Sequence, residues 1–350
     1  LLLYIHIPFC DSKCHYCAFN SYVDKSTLKN SYMQALAKQL EIEIKKKNIQ
    51  KISSVFIGGG TPSSIQADLY EKIFTFISPY LQTNCEITIE ANPNSASFDW
   101  LQEIYALGVN RVSFGVQSFN DKKLRFLGRA HSKHTAISAL EDAHKIGFKN
   151  ISLDLIYATK LDTPSLLKED LKTAMSLPIN HLSAYALIIE ENTKFQNFQD
   201  YSKENVDETK EFFELIGSYG FEHYEISNFG KYKSLHNLGY WQTKEYLGIG
   251  AGAVGFSDKK RFYPHKSIEK YIKDPLFHTI EYLSAEDLHV EKIFLGLRSC
   301  IGLHVDIFSP KELEKISLLV KENKLYKKGD FYYNVDFLLA DEIALYILGS

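Results

Sequence analysis

Residues 3–17 read LYIHIPFCDSKCHYC. An apolar run expected to form a strand leads directly into Cys10, Cys14 and Cys17, three of the five cysteines in 350 residues. Thiols this close cannot all pair into disulfides, and so few cysteines do not make a disulfide-stapled scaffold. The loop therefore reads as a metal site. A structural zinc would need a fourth ligand, for which His6, His15 and Cys85 are the candidates. A four-iron cluster held by three cysteines would leave one iron without a protein ligand and open to chemistry. Incidental thiols are the third reading.

The remaining composition is that of an ordinary globular chain, with 45% hydrophobic and 24% charged residues. A net charge of −3 gives no electrostatic case for nucleic acid, and Lys45 to Lys47 read as a solvated helix end. The opening LLLYIHIPF has neither the basic front nor the cleavage site of a leader. No apolar run approaches the roughly 18 residues of a membrane span. Few disulfide candidates and an oxygen-sensitive cluster point to the cytoplasm. The length exceeds the roughly 250 to 300 residues of a single core, which predicts one large domain and a smaller one.

Outward from the cysteine loop, strands and helices alternate. Strands are predicted over 3–7, 55–57, 87–90, 111–114, 151–155 and 181–187, and helices over 28–44, 69–81, 99–107, 135–146, 166–177 and 206–219. Alternation of this kind means a parallel sheet. Six units finished so early predict a partial (β/α)6 barrel rather than a closed TIM barrel of about 250 residues; an open doubly wound sheet is the alternative. In either, ligands bind beyond the carboxyl ends of the strands. There lie the cysteine loop, Gly58-Gly59-Gly60-Thr61-Pro62, Glu90, Gln117 and Asp154.

From about Tyr224 the alternation fades into HNLGYW (236–241) and GIGAGAVG (248–255). Helices over 285–298 and 310–321 and a strand–turn–strand over 325–334 predict a small winged-helix-like α+β domain. The expected division is 1–222, 223–284 and 285–350. The glycine triplet lets backbone amides approach a ligand. It lacks the later glycine, opening a helix, of a dinucleotide fingerprint, so no nicotinamide cofactor is expected.

The C-x3-C-x2-C loop after the first strand and GGGTP after the second resemble the radical S-adenosylmethionine (SAM) superfamily. With YIHIPFC, FIGGGTPS, IEANP, GVQSF, LGRAH and LDLIY in order, the resemblance narrows to the HemN/HemW family, which contains an oxygen-independent coproporphyrinogen III dehydrogenase and a haem chaperone. It implies that Cys10, Cys14 and Cys17 hold a [4Fe-4S] cluster whose fourth iron is chelated by SAM. By the same resemblance, Gly59, Gly60 and Thr61 bind the methionine end, and Tyr4 and Glu90 contact the first SAM. Tyr16, before the last cysteine, belongs to the same site. Gln117, Arg129 and Asp154 match positions around a second SAM.

Two features lean to the chaperone branch. Phe19 stands where the dehydrogenase resembles C-x3-C-x2-C-x-C, and the chain begins three residues before Tyr4, so the dehydrogenase's N-terminal extension is expected to be absent. HNLGYW matches the HNxxYW motif that the chaperone branch is thought to use for haem, with His236 as a candidate axial ligand and Asn237, Tyr240 and Trp241 beside it. A helix would put His236 and Tyr240 on one face. The implied partners are haem, acceptor haemoproteins including respiratory enzymes at the inner membrane, an electron donor, and a second copy of the chain. One departure is local: Ala158-Thr159-Lys160-Leu161-Asp162 replaces the family's Gly-Leu-Pro-x-Gln. Cys85 and Cys300 read as buried apolar residues.

Overall fold

The computed structural model describes residues 1–349. Strand β1 (Leu2–Ile7) is followed by α1 (Lys29–Lys46), β2 (Ile52–Gly59), α2 (Glu71–Ile77), β3 (Leu81–Ala91), α3 (Phe98–Ala106) and β4 (Arg111–Gln117). Then come α4 (Asp121–Leu127), α5 (Lys133–Ile146), β5 (Asn150–Tyr157), α6 (Pro164–Met175), β6 (His181–Ala186) and α7 (Val206–Ser218). Strands β1 to β6 lie side by side in chain order and all run parallel, as the alternation predicts.

Period-two patterning explains why this sheet curls around a polar interior. Val55 and Ile57, Ile87 and Ile89, Val112 and Phe114, and Leu153 and Leu155 share the main hydrophobic core with apolar residues of the helices. The intervening Ser54, Glu86, Thr88, Glu90, Arg111, Ser113, Ser152 and Asp154 occupy the other face. The helix expected over 69–81 is shorter than predicted. Pro79 cannot donate to a continuing helix, so α2 ends at Ile77, a 3-10 turn covers Ser78–Tyr80, and β3 starts at Leu81.

The next segment contains β7 (Glu222–Glu225), β8 (Asn228–Gly230), α8 (Leu235–Trp241), β9 (Tyr246–Ile249), β10 (Gly255–Ser257), β11 (Lys260–Pro264), α9 (Ile268–Lys273) and β12 (His278–Tyr282). Residues 223–284 extend the barrel sheet at both edges. Strand β8 pairs antiparallel with β6, while β9 pairs parallel with β1 and leads through β10 and β11 to β12, giving twelve strands in one sheet. The glycine run permits this path: a Cβ on Gly248 would lie 2.2 Å from the Val254 carbonyl oxygen.

The chain ends in α10 (Ala285–Leu297), β13 (Leu303–His304), α11 (Pro310–Lys321), β14 (Leu325–Lys328), β15 (Phe331–Asn334) and α12 (Ala340–Leu348). A three-stranded antiparallel sheet and its helices bury Ile293, Leu297, Ile316, Leu325, Ile343 and Ile347 in a separate core. This is the small α+β body expected. Main-chain bonds from Ile226 N to Arg298 O (2.9 Å) and from Cys300 N to Tyr224 O (2.8 Å) tie it to the barrel edge. No helix among the described residues is long and apolar enough to cross a membrane.

Candidate functional site: the barrel mouth

All three loop cysteines line one mouth with Tyr16, Gly59, Gly60, Thr61, Glu90, Gln117, Arg129 and Asp154. The strand ends thus bring together residues up to 144 positions apart, Cys10 to Asp154. Tyr4 is the exception among the expected SAM contacts. Its hydroxyl bonds His6 Nδ1 at 2.9 Å, and its ring lines a neighbouring cleft.

The glycine triplet is required by packing at every position. A Cβ on Gly58 would crowd Phe56 at 2.8 Å and Glu90 at 3.0 Å, and one on Gly59, whose φ is +119°, would strike the His6 ring at 2.5 Å. One on Gly60 would lie 2.7 Å from the Phe9 carbonyl oxygen and 3.1 Å from Cys10 Sγ. The bare backbone therefore forms a cradle beside the first cysteine.

Asn92, within IEANP, is a site residue the sequence reading did not single out. Thr61 Oγ1 lies 3.4 Å from Cys10 Sγ, and Asn92 Nδ2 donates to Thr61 Oγ1 at 3.1 Å. Arg129 Nη2 donates to Asn92 Oδ1 at 2.6 Å and also to the Gly115 carbonyl, while its Nη1 donates to Cys14 Sγ at 3.2 Å. A polar chain thus links two of the three thiols. Arg129 forms no ion pair with Asp154; its partners are the thiol, the amide and the carbonyl.

Helix α4, also absent from the sequence reading, delivers Arg129. Asn120 caps its start through the Lys122 and Lys123 amides, and Gly128 ends it at φ +75°. Its end holds the cysteine loop: His15 N donates to Leu127 O at 3.0 Å, and the His15 Nδ1 to Phe126 O distance is 2.9 Å. Gln117 follows a register break between β4 and β5, has φ +69°, and keeps a buried Oε1 without a partner. Such backbone strain beside an orphaned acceptor is characteristic of ligand sites.

The mouth is electrostatically unfinished. Burial, reinforced by the charge of Asp154, pushes Glu90 up to about 7, against the Gly59 N–H that donates to its Oε2 at 3.1 Å. Burial likewise pushes Asp154 up to about 6, opposed by Ser183 and the charges of Arg111 and Arg129. Two carboxyls sharing a narrow mouth favour an incoming cation. Burial also drives the Tyr16 phenol far above its ordinary range.

The donor set fits a thiolate-held cluster better than a single zinc. Among the described residues no three His, Cys, Asp or Glu side chains gather tightly enough for one metal ion. The candidate fourth ligands are committed: His6 bonds Tyr4 and, through Nε2, Asn20 O at 3.0 Å, while Cys85 is buried five residues before Glu90 on β3. Three thiols, a glycine cradle, and the unpartnered Gln117 Oε1 and Arg129 Nε suit a larger polar group.

HNLGYW lies at the other end of the barrel. On the inner face of β3, Glu90 is at the mouth and Glu86 at the floor, about 13 Å apart along the strand. Glu86 receives the first turn of α8, with Oε1 accepting from His236 N at 2.9 Å and Oε2 from Leu235 N at 3.0 Å. His236 and Tyr240 share a helix face, as expected, with ring centroids 4.8 Å apart. His236 is fully buried; its Nδ1 meets Ser54 Oγ at 2.8 Å and its Nε2 meets the Tyr240 hydroxyl at 3.1 Å. Burial pushes His236 down to about 3. In this arrangement both ring nitrogens are occupied, so an axial iron bond would have to replace one of these contacts. Asn237 is half-buried, and Trp241 Nε1 is buried without a partner.

The departure at 158–162 is a buried ion pair. Lys123, on α4 and with no exposed surface, donates to Asp162 Oδ1 and to Ile156 O, each at 2.6 Å. Asp162 Oδ2 also accepts from Thr159 N at 2.8 Å, closing the turn in which Ala158 has φ +58°. This turn is therefore fastened to the helix that positions Arg129.

A three-cysteine loop facing a glycine cradle at the carboxyl end of a partial parallel barrel defines the radical SAM class, and the profile of the Radical SAM superfamily matches residues 4–174. The Heme chaperone HemW of Bacillus subtilis is 36% identical over 325 residues, covering 88% of this chain and 86% of that protein. That of Lactococcus lactis is 34% identical over 345 residues, covering 92% and 90%. Within the class, the chain belongs to the HemW haem-chaperone family. The solved coproporphyrinogen III oxidase HemN from Escherichia coli shares the fold, with a TM-score of 0.84 over 99% of this chain and 89% of that one, at 20% identity.

Proposed function

We propose that this protein carries haem and hands it to acceptor haemoproteins, with a [4Fe-4S] cluster on Cys10, Cys14 and Cys17 and SAM at the open iron. The observation that carries the reading is similarity to HemW chaperones across most of the chain, on a chain whose mouth has the parts for a cluster. Phe19, 71% exposed beside Cys17, supports the chaperone branch, because no fourth cysteine stands at that place.

When bound, the cluster supplies one-electron reduction of the SAM sulfonium. The protein's own groups position that ligand: the N–H groups of Gly59, Gly60 and Thr61 already donate to Glu90, Ile7 and Phe9, so this backbone contributes its carbonyl oxygens and its bare surface, and Glu90 offers a carboxylate to the methionine ammonium. Gln117, Arg129 and Asp154 form the adjoining pocket for a second SAM, and Tyr4 borders the site from the cleft side. For haem, Tyr240 contributes a ring face, and His236, Asn237 and Trp241 shape the helix that presents it. The reading includes a cytoplasmic protein, an electron donor, a second copy of the chain, and respiratory haemoproteins at the inner membrane as acceptors.

The test against the dehydrogenase reading is incubation of cluster-loaded protein with SAM, reductant and coproporphyrinogen III. No carbon dioxide and no protoporphyrinogen are expected. Formation of both would replace the chaperone reading with oxidative decarboxylation.

A further inference from the structure

A cleft of about 860 Å³ lies between the barrel edge and α10, within the roughly 300–1,000 Å³ of pockets that bury small organic ligands. We propose that this cleft is the porphyrin seat, holding the macrocycle by its ring faces and its two propionates and not by an iron ligand within the cleft. The inference rests on the haem-carrier reading above.

Helix α10 has two apolar faces. Ile293 and Leu297 enter the core of the C-terminal body, whereas Leu288 and Leu295 line the cleft, joined by Phe294, which packs against that core and borders the cleft as well. The opposite wall contains Tyr240, Tyr246 and Phe256. Tyr240 stands edge-on to Tyr246 with centroids 4.8 Å apart, an arrangement that gives a flat ligand aromatic and aliphatic walls.

Charge complements the apolar walls. Four cationic side chains line the cleft. Arg261 pairs with Glu281 and Glu291, and Arg298 pairs with Asp341. Lys244 and Lys292 are exposed and form no ion pair among the described residues. Two unpaired cations at an apolar cleft match a flat ligand with two carboxylates.

Among the described residues no His, Cys or Met lines the cleft. Its phenols are poor iron ligands in their neutral form, and burial pushes both Tyr4 and Tyr240 well up. A carrier that grips ring and propionates leaves the iron free for the acceptor's own ligand.

The experiment titrates full-length, cluster-loaded protein with three probes: haem, iron-free protoporphyrin IX and haem dimethyl ester. Wild type is expected to bind protoporphyrin IX within about threefold of haem, and the dimethyl ester more weakly by about tenfold or more, because esterification removes both carboxylates and with them both charge-assisted contacts at the exposed rim. Lys244→Glu/Lys292→Glu is expected to weaken haem binding tenfold or more while cluster absorbance and Tm stay at wild-type values. Leu288→Asp, at the wall, is expected to weaken all three probes. Equal haem affinity in wild type and both variants would overturn the seat, and protoporphyrin IX binding more than about tenfold weaker than haem would overturn iron-independent recognition. A wild type that binds none of the probes would instead overturn the haem-carrier reading itself.

Discussion

Arg129 Nη1 lies 3.2 Å from Cys14 Sγ, although 115 residues separate them. Its other amino group bonds Asn92, which bonds Thr61, whose hydroxyl lies against Cys10. Helix α4 and the β2 and β3 ends are thereby coupled to the cysteine loop. The chemistry of the loop depends on residues that contain no sulfur.

A cation hydrogen-bonded to a cluster thiolate stabilises the reduced, more negative state. Arg129→Gln is expected to lower the cluster reduction potential by about 50–100 mV, corresponding to about 1–2 kcal/mol for one electron. Redox titration followed by electron paramagnetic resonance measures it. A potential unchanged or raised would remove Arg129 from that role.

The mouth carboxyls predict a proton-linked response. With Glu90 raised to about 7 and Asp154 to about 6, the ligand-free fold holds more protons than the unfolded chain between about pH 4 and 7. Their contribution is full below the unfolded values and is lost as pH rises through the folded ones. Thermal unfolding of cluster-free protein should therefore show this stabilisation shrinking from pH 5 to pH 8, with the slope reduced in Glu90→Gln/Asp154→Asn. An identical slope in that variant would contradict the assignment.

His236→Ala should cost about 2–4 kcal/mol of folding stability, because it opens a buried space and strands Ser54 Oγ and the Tyr240 hydroxyl. The haem spectrum should change little, since the proposed seat draws on Tyr240 and not on the imidazole. Denaturant titration and haem absorbance separate the effects. Undiminished stability with loss of the haem spectrum would make His236 a ligand and overturn this placement.

The pair Lys123–Asp162 should behave as a buried ion pair. Asp162→Ala is expected to cost about 3 kcal/mol, because it removes the nearer carboxylate and leaves the lysine with Asp170 at 3.9 Å, and Lys123→Met/Asp162→Leu to recover part of that, Asp170 keeping its bonds from Ser118 and Phe119. A double-mutant cycle in denaturant measures the coupling. Additive losses would show that the two side chains act independently.

The six parallel strands and the C-terminal hairpin were legible in the sequence because their signals are local: period-two apolarity for the strands, Gly329-Asp330 for the turn. The cysteines and glycines were legible because both chemistries need particular atoms at short spacing. Helix α4 was not, since seven residues give too few turns for an apolar period, although Asn120 and Gly128 mark its ends. Strand β9 escaped because it is four residues long in a glycine-dense run, and its pairing with β1, where Gly250 just past its end leaves room for the His6 carbonyl, is a long-range fact. His236 could be placed on a helix with Tyr240, but its burial against Ser54 and Glu86 depends on the barrel floor, which no local pattern encodes. Asn92 lay within a quoted motif and gained its role only when Thr61 and Arg129 met it. The cleft under α10 joins Tyr4 of β1 to residues of α10 far along the chain and has no sequence signal of its own.

The central claim is transfer of haem. Protein loaded with cluster and one equivalent of haem, freed of excess by gel filtration, is mixed with an apo-haemoprotein, and the Soret band of the acceptor is followed. The account predicts that haem is retained through filtration and then moves to the acceptor, with the cluster absorbance left in the donor. Haem lost on filtration, or held by the protein without reaching the acceptor, would contradict it.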